Sequence, residues 1–112
     1  MKGTTKNASS DLTRIPWLSS VEMLILELLI ARGEMYGLQL VNESDGRLKR
    51  GSVYVTLNRM EEKGYVAYRT EVSAPIEGGM RRPLYRCTGY GERVYRAWQA
   101  AKYHMAPTAL TS

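Results

Sequence analysis

The sequence predicts a mainly helical α+β domain, and three observations carry that prediction. Between Ser19 and Gly64 the apolar residues recur at helical spacing in three separate stretches. From Tyr65 the pattern switches to the two-residue alternation of extended chain, and extended character resumes over Leu84–Cys87. After Thr88 a helical pattern returns. At 112 residues the chain makes one compact domain and not comfortably two. Its hydrophobic fraction of 44% is enough for a core, and 24% charged residues is ordinary for a folded protein.

The elements follow in order. Residues 1–11 are rich in Gly, Thr, Ser and Asn and form an expected flexible arm. Leu12, Ile15, Pro16 and Trp17 make an apolar island that can pack on the domain or on a second copy of it. Ser19 caps the first helix while Glu22, three residues on, reaches back in a capping box; Leu18 and Met23 stand where a hydrophobic staple places them. Val21, Leu24, Ile25, Leu28 and Leu29 line one broad face, with Leu26 and Ile30 apolar elsewhere. Such a helix is buried on more than one side, which suits both a core and a subunit contact. Arg32-Gly33 ends it. A second helix is expected over Met35–Glu43, with Leu38, Leu40 and Val41 inward. Gly37 in its first turn costs about 1 kcal/mol relative to alanine; it is there either for close approach of the first helix or as a tolerated defect.

Arg47-Leu48-Lys49-Arg50 is a basic linker anchored by Leu48. In the third helix, residues 51–64, Val53, Leu57 and Met60 form a narrow apolar stripe, and Gly64 suits the position just past its end. The opposite flank collects Ser52, Val55, Thr56, Arg59 and Lys63, with Glu61 and Glu62 to one side. That flank can lie in a DNA major groove, where hydroxyls and a guanidinium reach base edges and flanking cations meet phosphate. It can equally be the solvated side of an ordinary amphipathic helix. Tyr65–Val72 and Leu84–Cys87 form an antiparallel hairpin, joined by a glycine-containing basic connection from Ser73 to Pro83. Thr88 caps a last helix from Gly89 to about Tyr103, in a span that closes at 105 before Pro107. Its stripe of Val94, Ala97, Trp98, Ala101 and Met105 is longer than a small domain needs, so part of it is assigned to a dimer interface. Residues 106–112 are an expected flexible tail.

The formal charge of +5 points mildly towards a polyanion as partner. Val21–Ala31 is apolar but too short to span a bilayer, and Glu22 and Glu27 interrupt it. Met1–Asp11 is polar throughout and holds no signal-peptide segment. The single cysteine, Cys87, cannot form an internal disulfide, which places the chain in a reducing cytoplasm. No nucleophile–base pair, phosphate-cradling glycine loop or carboxylate constellation marks an enzyme. With one His and one Cys a metal-sensing site is nearly excluded, and no cofactor is expected.

The order of three helices, hairpin and helix is that of a winged helix-turn-helix with an added C-terminal dimerisation helix. Three runs sharpen this: Tyr36-Gly37-Leu38-Gln39-Leu40, the stretch from Gly51-Ser52-Val53-Tyr54 to Met60-Glu61-Glu62-Lys63-Gly64, and Arg81-Arg82-Pro83-Leu84-Tyr85-Arg86-Cys87-Thr88-Gly89-Tyr90-Gly91. Together they resemble the PadR family of bacterial transcriptional regulators, over roughly Ser19 to Ala101. The resemblance implies a homodimeric repressor on a roughly palindromic operator, with the third helix in the major groove and the wing along the backbone. By it, Tyr54 matches the family's tyrosine near the start of the recognition helix, Gly37 its second-helix glycine and Gly64 the turn into the wing. Leu38 departs from a usual aromatic residue and Val55 from a common proline. The short last helix places the chain among the family's small members.

On this reading Arg59 is the candidate for a bidentate guanine contact, against the alternative of pairing with a neighbouring glutamate. Ser52 and Thr56 reach phosphate or base, unless Ser52 is a helix cap. Tyr54 donates to phosphate or packs its ring under the wing, and Val55 lies on the same face. Lys49, Arg50 and Lys63 meet the backbone; Arg81 and Arg82 on the wing meet the minor groove or flanking phosphate. Leu12, Ile15 and Trp17 join the last-helix stripe as dimer-interface candidates. Several PadR-like regulators answer small aromatic or drug-like molecules, and Trp98 with Trp17 suits such an effector pocket; a place in the dimer core is the competing role for Trp98. Cys87 is expected as a buried strand residue, not a redox sensor. The competing function is a winged-helix protein–protein module that reads no DNA sequence.

Overall fold

The computed structural model describes residues 15–72 and 81–105, and of 103–105 the backbone alone. The expected arm (1–11), Leu12, the connection 73–80, the Met105 side chain and the tail 106–112 lie outside the described residues. The elements are α1 (Ser20–Arg32), β1 (Met35–Tyr36), α2 (Gly37–Glu43), α3 (Val53–Glu62), β2 (Val66–Val72), β3 (Arg81–Cys87) and α4 (Gly89–Met105). The strands form one antiparallel sheet in the order β1-β3-β2.

The capping box of α1 is present in both halves. The Glu22 amide donates to the Ser19 hydroxyl at 3.1 Å, and the Ser19 amide donates to the Glu22 carboxylate at 2.8 Å. Leu24, Ile25, Leu26 and Leu29 are buried, and α1 packs on both β3 and α4. Its all-round apolar surface is therefore used largely inside the domain.

The second helix is shorter than the sequence predicts. Met35 and Tyr36 pair with Tyr85 and Leu84 as a third strand, and α2 starts at Gly37. Two residues carry no periodicity, so this strand has no signal in the spacing. Leu40 is completely buried, but Leu38, expected inward, is 41% exposed. The residue that meets Gly37 is Tyr54 of α3, not α1. A methyl group built on Gly37 would lie 2.6 Å from the Tyr54 ring.

Buried Ser44 organises the turn into α3: its hydroxyl donates to the Val41 carbonyl at 2.8 Å and accepts from the Leu48 amide at 2.9 Å. Leu48 is buried, as an anchor should be. The α3 stripe of Val53, Leu57 and Met60 is buried, and Gly64 holds φ 87°, which glycine adopts without strain. Strand β3 begins at Arg81, three residues earlier than the proline at 83 suggests. Proline is tolerated there because β1 pairs only with Leu84 and Tyr85, leaving residue 83 on an edge on that side.

Thr88 does cap α4, accepting from the Gly91 amide at 2.9 Å, and the helix runs from Gly89 to Met105, the bounds of the expected span. Val94, expected on the dimer stripe, is only 5% exposed and belongs to its own domain's core, because α4 lies against α1.

Candidate nucleic-acid interface

The outward side of α3 begins two residues into the helix. Val55 is about 200° from Val53 around the axis, so it stands opposite the buried stripe, and Arg59 follows one turn later. Val55 is 51% exposed, Arg59 is exposed and Thr56 is half-buried. Lys49, Arg50 and Ser52, in the preceding turn, are exposed as well. Among the described residues no carboxylate pairs with Lys49, Arg50 or Arg59, so the competing placement of Arg59 beside a glutamate is not the one adopted. Their charge therefore stands towards solvent: Lys49 and Arg50 lie before the N-terminal end of the helix, where the macrodipole is also positive, and Arg59 lies in its last turn.

Ser52 does not act as a side-chain cap. Its backbone (φ −126°, ψ −6°) is not extended as a capping residue requires, and its amide is turned to the Lys49 carbonyl at 3.1 Å. No side chain caps the first turn of α3, and no acid lies in it. The contrast with α1, where Ser19 and Glu22 fill the same positions with a complete box, is within one chain.

One expected contact is placed differently. Lys63, expected towards phosphate, gives its ammonium to buried Glu22 at 3.2 Å, because it lies where α3 ends against the start of α1. The Tyr54 ring covers Gly37 at the start of α2, near Tyr85 of β3, and the residue stays 38% exposed. Only glycine there leaves room for the ring.

The base of the hairpin is tied to the body by polar contacts that the sequence does not reveal. Arg69 binds Glu34 in two places, Nε to Oε2 at 3.0 Å and Nη2 to Oε1 at 2.9 Å, and this guanidinium holds the Glu34 carboxyl below the usual carboxylate range. Tyr36 donates its hydroxyl to Glu71 and carries the Arg82 guanidinium 4.2 Å above its ring centre. Arg81 and Arg82 are thus strand residues with exposed side chains, opposite Val72 and Glu71. Glu34 and Tyr36, which fix the hairpin, were not among the sequence candidates, since both partners lie some 35 residues away.

Trp98 of α4 is half-buried, donates its Nε1 hydrogen to the Pro16 carbonyl at 2.6 Å, and meets Trp17 edge-on with ring centres 5.8 Å apart. Trp98 also lines a cavity of about 690 Å³ with Leu18, Met23, Leu24, Glu27 and Tyr95. Trp17 does not line it and is 71% exposed; Ile15, Ala97 and Ala101 are half-buried nearby in sequence. Burial pushes the Cys87 thiol up to about 11, so it stays protonated at neutral pH and lacks the thiolate a redox sensor needs. Among the described residues no group of three or more His, Cys, Asp or Glu is placed to hold a metal, and no helix is long and apolar enough to cross a membrane.

A helix-turn-helix whose second helix carries an exposed cationic flank, followed by a hairpin tied to the same body, defines a winged helix-turn-helix protein. Residues 25–97 match the Transcriptional regulator PadR-like family, which is well over half of the sequence. The chain belongs to the PadR family of transcriptional regulators, a family of regulators and not of enzymes. No curated protein matches the sequence. Among solved structures, the chain is similar to a candidate transcriptional regulator from Thermoplasma acidophilum (27% identity, 82% of this chain and 91% of that one, TM-score 0.59). A PadR family regulator from Clostridium difficile R20291 is similar at 23% identity over 83% of this chain and 96% of its own, with TM-score 0.64. The PadR of Bacillus subtilis, solved in complex with operator DNA, is similar at 22% identity over 71% of this chain and 46% of that one, TM-score 0.62. These last two likenesses are of fold.

Proposed function

We propose that the protein is a dimeric repressor that binds a roughly palindromic operator in double-stranded DNA through the outward flank of α3, with the hairpin along the adjacent backbone. The observation that carries this is the exposed flank itself: Lys49 and Arg50 just before α3 and Arg59 in its last turn are exposed with no carboxylate partner among the described residues, and the first turn holds no acid. Polyanion binding needs that arrangement, and helix stability alone does not. Ser52 and Thr56 supply hydroxyls beside the cations, Tyr54 a further hydroxyl where α3 meets α2, and Arg81 and Arg82 extend the positive surface along the hairpin. Lys63 is neutralised by Glu22 and contributes little.

Two copies related by a two-fold axis would present their α3 helices at about 34–36 Å, one turn of duplex, and occupancy of a promoter would then exclude the transcription machinery. Exposed Trp17 beside Trp98, with half-buried Ile15, Ala97 and Ala101, supports a subunit contact through Trp17 and α4. The cavity beside Trp98 has the size of a small-molecule site, with Leu18, Met23, Leu24 and Tyr95 as apolar lining and Glu27, Arg47 and Lys102 as charged lining, which supports a small aromatic effector with a polar group. A reducing cytoplasm suits the lone protonated Cys87.

The test uses a duplex enriched from a random pool, together with an unrelated duplex. Binding to either should weaken steeply with salt. Arg59→Ala is expected to cost roughly 1–3 kcal/mol on the enriched duplex and much less on the unrelated one. Lys49→Ala should weaken both alike. Equal losses for the two variants on both duplexes would remove Arg59 from base reading, and salt-independent binding would remove the phosphate contacts.

A further inference from the structure

We infer that Val55 is a specificity-determining residue: its isopropyl group packs on the C5-methyl group of one thymine in each half-site. The inference rests on the DNA-binding reading above and adds to it which base chemistry the helix selects. Val55 occupies the outermost direction of the first turn of α3, opposite Val53, Leu57 and Met60, and is 51% exposed. The fold has no use for an apolar side chain there. A β-branched residue is a weaker helix former than most polar ones, and at this end of a helix an acid would interact favourably with the macrodipole. α1 shows that choice, with Glu22 at the third position after its cap. Val55 is flanked by exposed cations on the preceding turn and by Arg59 on the next, so whatever approaches the cations also covers Val55.

A duplex major groove offers hydrogen-bonding groups on every base pair but a methyl group only on thymine. An isopropyl group can satisfy no donor or acceptor, so pressing it on the edges of cytosine or guanine strips water from polar atoms without compensation. Against thymine it buries a methyl instead. Position on the helix and side-chain chemistry therefore select the same base.

The experiment replaces the thymines of the enriched duplex one at a time with deoxyuridine, which removes the methyl group and leaves every hydrogen-bonding edge in place. For the native protein one position per half-site is expected to lose affinity by about three- to five-fold, as burial of one methyl group gives. Val55→Ala should bind the unmodified duplex more weakly by a similar factor and respond less than two-fold to the same replacement. Uniform insensitivity of the native protein to deoxyuridine would overturn the inference, as would an undiminished penalty in Val55→Ala. If the enriched duplex still depends on Arg59 in either of those cases, the DNA-binding reading stands and only the role of Val55 falls. If no duplex is bound at all, both fall together.

Discussion

Gly91→Ala is expected to destabilise the domain by roughly 3 kcal/mol or more. Gly91 is buried in the first turn of α4, against the backbone of Tyr65. A methyl group there would lie 2.9 Å from the Tyr65 carbonyl carbon and 3.1 Å from its Cα, and still closer to the carbonyl oxygen. That carbonyl cannot retreat. It accepts from the Thr88 amide at 3.0 Å, and the Thr88 hydroxyl bonds the Gly64 and Tyr65 carbonyls at 2.6 and 3.1 Å while capping Gly91. Here the end of α3, the start of β2 and the start of α4 are joined through one threonine. Overpacking typically costs about 1–3 kcal/mol, and loss of the cap adds about 1 kcal/mol. Against a total stability of about 5–15 kcal/mol that is a large share. Urea denaturation should show a loss of roughly 3 kcal/mol or more. Gly89→Ala is the control. Its methyl would meet only the end of the Arg93 side chain at 3.6 Å, so it should be neutral or stabilising. A Gly91→Ala midpoint close to the native one would contradict the packing described.

Val55→Glu should separate stability from function. A carboxylate in the first turn of α3 gains from the macrodipole by about 0.3–1 kcal/mol, and glutamate is the better helix former. The thermal midpoint is expected to hold or rise by a few degrees. The same carboxylate would face phosphates in the bound state, where like charges cost several kcal/mol, so affinity for duplex DNA should fall by about a hundred-fold or more. A variant that is more stable and still binds would show that this turn does not face DNA. A variant that is both less stable and non-binding would leave the helix, rather than its surface, as the cause.

The sequence was most informative where a single periodicity settled an element. The α3 stripe, the Ser19–Glu22 box, the Thr88 cap and the Gly64 turn are all local patterns, set within four residues of one another. What it did not reveal depends on partners far along the chain. Lys63 reads as one more cation on a basic flank until Glu22, 41 residues away, is folded against it. Gly37 reads as a concession to the first helix, yet Tyr54 occupies the space. Val94 shares the spacing of the outward stripe on α4 but turns into the core, because α1 covers that side of the helix. Strand β1 has two residues and no pattern of its own; only the open side of β3 makes it a strand. Of the DNA-facing candidates, those on the outer half of α3 stand where their spacing put them, and Lys63 at its end does not.

Selection of bound duplexes from a random pool, followed by sequencing, tests the central claim most directly. The expected product is an inverted repeat with half-site centres about one helical turn apart, enriched by the native protein and blurred at one guanine per half-site by Arg59→Ala. A pool that remains random after selection, or a motif that Arg59→Ala leaves unchanged, would contradict that claim.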